Sequence, residues 1–207
     1  VIQQVEKQTS FTFRFAPYDK NRDDRVTPDE LAILWIYPGP PAGINRPVDP
    51  ALVKVPSLSK GVQPPGLSRV GDQTNWELVA HELVHGNLGL LDLYVDKSNY
   101  PGVGGGSLMC TQGNGAHLDP WAKIKLGWIK PEVVTADGWY TLPDVESFPH
   151  ALIVYDPRRG PRDYFIIENR WPGTSHESFQ SFKGLAIWRI SEHSADGDWA
   201  RRTIDLI

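Results

Sequence analysis

The stretch His81-Glu82-Leu83-Val84-His85 constrains the fold of this chain more than any other, because its three polar side chains make joint sense only on a helix. Residues four apart on a helix lie one above the other, so the imidazoles of His81 and His85 can reach a single metal ion. Glu82 stands beside them, where its carboxylate can take a proton from a water at that ion. The surrounding residues predict the helix independently. Thr74-Asn75-Trp76-Glu77 has the spacing of a capping box, and apolar residues recur at helical intervals from Trp76 to Val84. Gly86 and Gly89 flank Asn87, and the pair predicts that the helix stops soon after His85 and that the chain turns back, delivering Asp92 toward the metal as third ligand. Two imidazoles and a carboxylate with an open fourth position make the donor set of a catalytic zinc ion, Zn2+. The bland alternative is a helix whose histidines make surface hydrogen bonds only.

The length of 207 residues suits one well-buried core, or one domain with an appended sheet. A net charge of −4 gives no electrostatic reason for a polyanionic partner, so nucleic acid is not expected. No run of eighteen apolar residues occurs, so no membrane span is expected, and the first ten residues, VIQQVEKQTS, lack the apolar core of a signal peptide. An exported chain would thus have had its signal removed. The single cysteine, Cys110, leaves no intramolecular disulfide and no thiolate cluster, so a bound metal falls to nitrogen and oxygen ligands.

Upstream of the helix, residues 11 to 18 (FTFRFAPY) alternate as a half-buried strand would. The twelve residues from Asp19 to Glu30 then align with a calcium loop of the EF-hand kind. Asp19, Asn21 and Asp23 take its first, third and fifth places, Arg25 offers a carbonyl at the seventh, and Glu30 is the bidentate ligand at the twelfth. Asp24 replaces the usual glycine at the sixth place, and aspartate tolerates the left-handed conformation required there. A solvated acidic turn leading into a short helix capped by Thr27, with Pro28 first and Glu30 closing a capping box, explains the same residues. Both can hold together. A structural Ca2+ ion would pin the segment 31–36 (LAILWI) as a sheet edge. Residues 37 to 73, rich in proline and glycine, read as a long surface excursion.

Downstream, the single methionine, Met109, lies in a turn-forming run after GGG, where it either forms an apolar floor beneath the metal or fills the core. Asp119-Pro120 predicts the start of a helix through WAKIKLGW with Trp121, Ile124 and Leu126 inward. WYTL, ALIVY, YFIIENR and GLAIWRI then read as short strands of an antiparallel sheet. His150, His176 and His193 show no ligand spacing, and the pairs Arg158-Arg159 and Arg201-Arg202 read as solvated charge.

Taken with HELVHGNLGLLDLY, the segments SLM at 107–109, HLDPWAKIKLGWI at 117–129, YFIIENR at 164–170 and GLAIW at 184–188 resemble the immune inhibitor A family of secreted bacterial zinc metalloproteases. DKNRDDRVTPDELAILWIYPGP resembles the element order of that family too, so the likeness runs from about Asp19 to the end. It implies an α+β zincin-type catalytic module over residues 1–130, a β-rich continuation over 131–207, secretion, and cleavage of protein or peptide substrates. Glu82 would be the catalytic base and His81, His85 and Asp92 the zinc ligands. The turn carrying Asp92 is one residue longer than in the family, although the Gly89 to Asp92 interval is kept; Glu132, His117 and Asp96 stay open as third ligand. Tyr94 or His117 would supply a second donor to the oxyanion. The family's catalytic domain begins well before the calcium-like loop, whereas eighteen residues precede it here, which implies either a missing N-terminal part or a divergent member. The reading from another class is a non-catalytic, calcium-stabilised binding module of zincin shape.

Overall fold

The strand pattern follows from which faces the side chains must hide. A computed structural model of the chain describes residues 15–27, 29–39, 43–46, 67–94, 102–110, 117–171, 183–192 and 204–207. Helices and strands are mixed, with strands predominating. The chain separates into two compact units, Val1–Gly89 and Leu90–Ile207, so residues 90–130 group with the β-rich part. Among the described residues no helix is long and apolar enough to cross a membrane.

The first unit holds a three-stranded sheet of β1 (Ile33–Tyr37), β2 (Gly43–Arg46) and β3 (Leu67–Gly71) in the order β1-β3-β2. β1 runs parallel to β3, with Ile33 opposite Leu67, and β2 runs antiparallel to it, with Gly43 opposite Val70. β1 is therefore the sheet edge expected of the segment 31–36. β2 and β3 fall inside the stretch read as a surface excursion, and that reading is corrected for these residues. Neither strand carries the long alternating apolar run that marks a strand locally; their pairing across the sheet makes them. Along β3, Ser68 and Val70 are buried and Arg69 is exposed. Arg69 lays its guanidinium over the Tyr37 ring, 4.4 Å from the centroid.

Helix α1 (Trp76–Leu88) packs on β3 and β2. Its contact with β3 is close because small residues meet there. The buried Ser68 hydroxyl donates to the Glu82 carbonyl at 2.8 Å, and a Cβ placed on Gly86 would run into the same hydroxyl oxygen. Gly86 is thus an interior residue of the helix that allows close approach. The stop falls at Gly89, in the left-handed conformation at φ 68°, with its amide donating to the His85 carbonyl.

Residues 15–18 form a turn, with the Tyr18 amide bonded to the Phe15 carbonyl, where a strand was expected; residues 11–14 lie outside the described residues. Phe15 is fully buried, so the apolar signal was real although its backbone bends.

The second unit contains helix α2 (Pro120–Lys125) and a five-stranded sheet. The sheet comprises β4 (Glu132–Val133), β5 (Leu152–Tyr155), β6 (Asp163–Arg170), β7 (Gly184–Ser191) and β8 (Ile204–Leu206), in chain order across the sheet. β5 to β8 are antiparallel, while β4 joins β5 in parallel. WYTL at 139–142 forms no strand. On the buried face, Tyr164, Ile166, Glu168 and Arg170 of β6 alternate with half-buried neighbours, and Ala186, Trp188 and Ile190 of β7 alternate with exposed or half-buried ones. α2 packs on β6 and is capped as expected, the Asp119 carboxylate accepting from the Ala122 amide. Trp121 is buried, and its indole N–H donates to Glu192, which also accepts from the Tyr164 hydroxyl. Ile124 and Leu126 are half-buried only.

The contact between Ser68 and Gly86 carries a testable coupling. Gly86→Ala must displace the Ser68 hydroxyl from its buried hydrogen bond, a cost of about 1–3 kcal/mol, against about 1 kcal/mol gained from helix propensity. Urea unfolding of the single variants and of Ser68→Ala/Gly86→Ala is expected to show Gly86→Ala destabilising with Ser68 present and neutral or stabilising once the hydroxyl is removed. Equal effects in both backgrounds would contradict this seating of the helix.

Candidate metal centre

α1 begins at Asn75, whose side chain accepts from the Leu78 amide at 2.8 Å. The cap therefore sits one residue later than the capping-box spacing from Thr74 implied, which puts Glu77 in the second helical position. From that start the 3.6-residue period stacks Glu77, His81 and His85 along one side of the helix. Glu82 and Gly86 lie about a hundred degrees around, toward β3. The Ser68 contact fixes that rotation.

His81 is 3% exposed and Glu82 6% exposed. His85 and Asp92 are half-buried. The Nε2 atoms of His81 and His85 stand 3.0 Å apart, with the rings edge to face and their centroids 4.5 Å apart. Among the described residues, His81, His85 and Asp92 form the one group of three histidine, cysteine or acidic side chains whose ligand atoms all lie within 4.8 Å of one another. Two nitrogens held about 2.0–2.1 Å from one zinc ion at a tetrahedral angle lie about 3.3 Å apart, so the observed spacing fits a shared ion with little adjustment. The same spacing also suits an imidazole–imidazole hydrogen bond, with one Nε2 carrying the proton. The donor chemistry of two imidazoles and a carboxylate matches zinc either way.

The turn bearing Asp92 is tied down next door. The Leu93 amide donates to the Met109 carbonyl at 2.8 Å, and Gly102, at φ 64°, packs so close to the Leu93 carbonyl that a Cβ would overlap it. Met109 is itself buried, and its amide donates to the Ser107 hydroxyl, which in turn donates to Asp119. Burial, with the charge of Glu168 adding to it, holds the Asp119 carboxyl above the usual carboxylate range, opposed by these hydrogen bonds.

Two of the rival ligands, Glu132 and His117, have polar partners of their own. Glu132, on β4, lies 3.5 Å from His150, which is the partner that histidine lacked in the sequence. His117 Nδ1 stands 2.6 Å from the Leu118 carbonyl and 2.8 Å from the Lys123 ammonium, with Arg170 at 3.3 Å. One tautomer donates to the carbonyl and the other accepts from the cations; in both, this imidazole belongs to a polar cluster of its own. Asp96, His176, His193, Arg201 and Arg202 lie outside the described residues, and Tyr94 is half-buried at the end of the described turn. Arg158 and Arg159 are bound by Asp156 and Asp163.

In the acidic loop, every side chain proposed as a ligand turns inward onto loop amides. Asp19 accepts from the amides of Asp23 and Asp24, Asn21 from that of Asp23, and Asp23 from that of Arg25. Glu30 accepts from the amides of Lys20, Asn21 and Thr27 and from the Thr27 hydroxyl. These bonds, the Thr27 amide foremost, lower the Glu30 pKa. Asp24 takes φ 63° in the left-handed region, as does Arg22. The capping contact between Thr27 and Glu30 forms, yet only a turn follows it; Pro28 lies outside the described residues. Among the described residues, the acidic side chains of the loop do not gather three ligand atoms within 4.8 Å of one another as His81, His85 and Asp92 do.

Two buried residues next to His81 and His85 carry weaker signals in the sequence. Ser68 gives no local signal, being a lone serine in an unmarked strand. Glu77 had been assigned to the cap, although its four-residue spacing from His81 was legible.

No family model matches this chain, and neither a curated protein nor a solved structure does.

If Asp92 completes the metal centre, Asp92→Ala loses zinc on dialysis while His117→Ala and Glu132→Ala keep it. Zinc content by elemental analysis decides between them, and stoichiometric zinc in Asp92→Ala would remove that residue from the ligand set.

Proposed function

We propose that the chain is a zinc-dependent endopeptidase of zincin type, secreted and acting on protein or peptide substrates, in keeping with its resemblance to the immune inhibitor A family. The observation that carries this reading is the convergence of His81, His85 and Asp92 to within 4.8 Å, with Glu82 buried on the same helix. A zinc ion held by these three residues would polarise the scissile carbonyl and stabilise the negative charge that develops on its oxygen.

The remaining work falls to the chain itself. Glu82 follows His81 directly on the helix, and in this reading its carboxylate would serve the same space from the neighbouring strip. There it removes a proton from the attacking water and returns it to the leaving amine. The two imidazoles are neutral donors, and Asp92 adds the one negative charge that partly offsets a divalent cation. Burial of His81 limits its rotamers and keeps the donor nitrogens convergent. Tyr94, two residues past Asp92, and His117 are the two candidates for a second oxyanion donor.

For the loop Asp19–Glu30 we propose a structural calcium site. Its support is the inward turn of Asp19, Asn21, Asp23 and Glu30 and the left-handed Asp24, the backbone shape that the sixth position of such a loop requires. Calcium would exchange amide hydrogen bonds for carboxylate–metal contacts without unfolding the loop.

Each part has its own test. Glu82→Gln is expected to keep zinc and to lose at least ~100-fold in peptide hydrolysis, because the side chain acts on water and is no ligand; near-normal turnover would exclude the mechanism. Zinc uptake without cleavage of any unfolded protein would favour the binding module. Calcium is expected to raise the melting temperature of the wild-type chain, and Glu30→Gln to abolish most of that rise. An unmoved melting curve would leave the loop as a capped turn.

A further inference from the structure

Glu77 is 7% exposed, one of four buried residues on α1 together with His81, Glu82 and Val84. A carboxylate in the first turn of a helix gains from the macrodipole, but only modestly. Burying it carries a desolvation cost that needs a specific partner to offset it. The column Glu77, His81, His85 supplies a candidate one turn away. Side chains on a helix lean toward its N-terminus, so the His81 imidazole leans over the turn that holds Glu77. Its Nε2 is the atom that approaches His85, at 3.0 Å. Nδ1 is the ring's other nitrogen, and metal-binding histidines commonly donate that second N–H to a carboxylate.

We propose, resting on the metal-centre reading, that Glu77 is a positioning residue for His81: its carboxylate receives the Nδ1–H, fixes the tautomer with the Nε2 lone pair toward the metal, and raises the basicity of that nitrogen. The role differs from that of Glu82. Glu82 acts on the reacting water, whereas Glu77 acts only through His81. It differs equally from capping, which Asn75 already performs for this helix.

Zinc affinity by competition with a chromogenic chelator, and the visible spectrum of the cobalt-substituted chain, are measured for wild type, Glu77→Leu and Glu77→Gln, with apo melting curves alongside. Glu77→Leu, of similar volume and suited to burial, is expected to fold, to bind zinc about 10–100-fold more weakly, and to shift the cobalt bands. Glu77→Gln keeps an acceptor oxygen but not the charge and is expected to fall between. A packing role alone would move the melting curve and leave affinity and spectrum unchanged, and that result in Glu77→Leu overturns the inference. Should Glu77→Leu fail to fold, wild-type affinity and spectrum in Glu77→Gln overturn it equally. If the unmodified chain takes up neither zinc nor cobalt, the metal-centre reading falls first, on a result that involves no variant at all.

Discussion

The seating of α1 on β3 decides where His81 and His85, the helical residues of the candidate centre, sit. One buried hydroxyl, that of Ser68, bonds to the helix at the Glu82 carbonyl and fills the space left by the missing Cβ of Gly86. A helix is free to roll on a sheet unless something keys it, and apolar packing alone keys it poorly because it is non-directional. Here the key is a short directional bond between small residues. It sets the Glu82 carbonyl and Gly86 against the sheet, which leaves His81 and His85 on the strip that also carries Glu77. The left-handed Gly89 then ends the helix and sends the chain into the turn that brings Asp92 within reach.

A second constraint is electrostatic and belongs to the unit from Leu90 onward. Glu168 and Arg170 are both fully buried on β6 and bond at 2.6 Å, with the Trp188 indole N–H donating to the same carboxylate oxygen at 3.0 Å. Arg170 also stacks over the Trp188 ring. Such a pair is a weak source of stability but expensive to break from one side, since the surviving charge would be stranded. It therefore specifies how β6 and β7 meet more than it strengthens them. Through His117 and Lys123 the same cluster reaches α2, whose cap, Asp119, holds Ser107 and so the turn containing Met109.

How much of this was legible depended on whether the cause was local. The spacing of His81, Glu82 and His85 was readable because helical geometry is fixed by neighbouring residues. Asp119-Pro120 and the short apolar strand runs that became β6 and β7 were readable for the same reason. Gly86 was misread because a glycine in a helix can either stop it or admit a neighbour, and only the position of Ser68, more than a dozen residues earlier, distinguishes the two. β2 and β3 were missed because GINR and LSRVG become strands by pairing with each other and with ILWIY. On β6 the run YFIIENR marked a strand without revealing that Glu168 and Arg170 bury an ion pair. Asn75 displaced Thr74 as cap, a contest between two good capping residues that spacing could not settle.

The central claim is that His81, His85 and Asp92 hold one zinc ion, and X-ray absorption at the zinc edge tests it most directly. On a chain loaded with one equivalent of zinc and then dialysed, the account predicts a retained ion. Its scattering should show two imidazoles, with nitrogen and oxygen neighbours at about 2.0–2.1 Å. Loss of the zinc on dialysis, or a retained ion whose surroundings lack imidazole scattering, would contradict it.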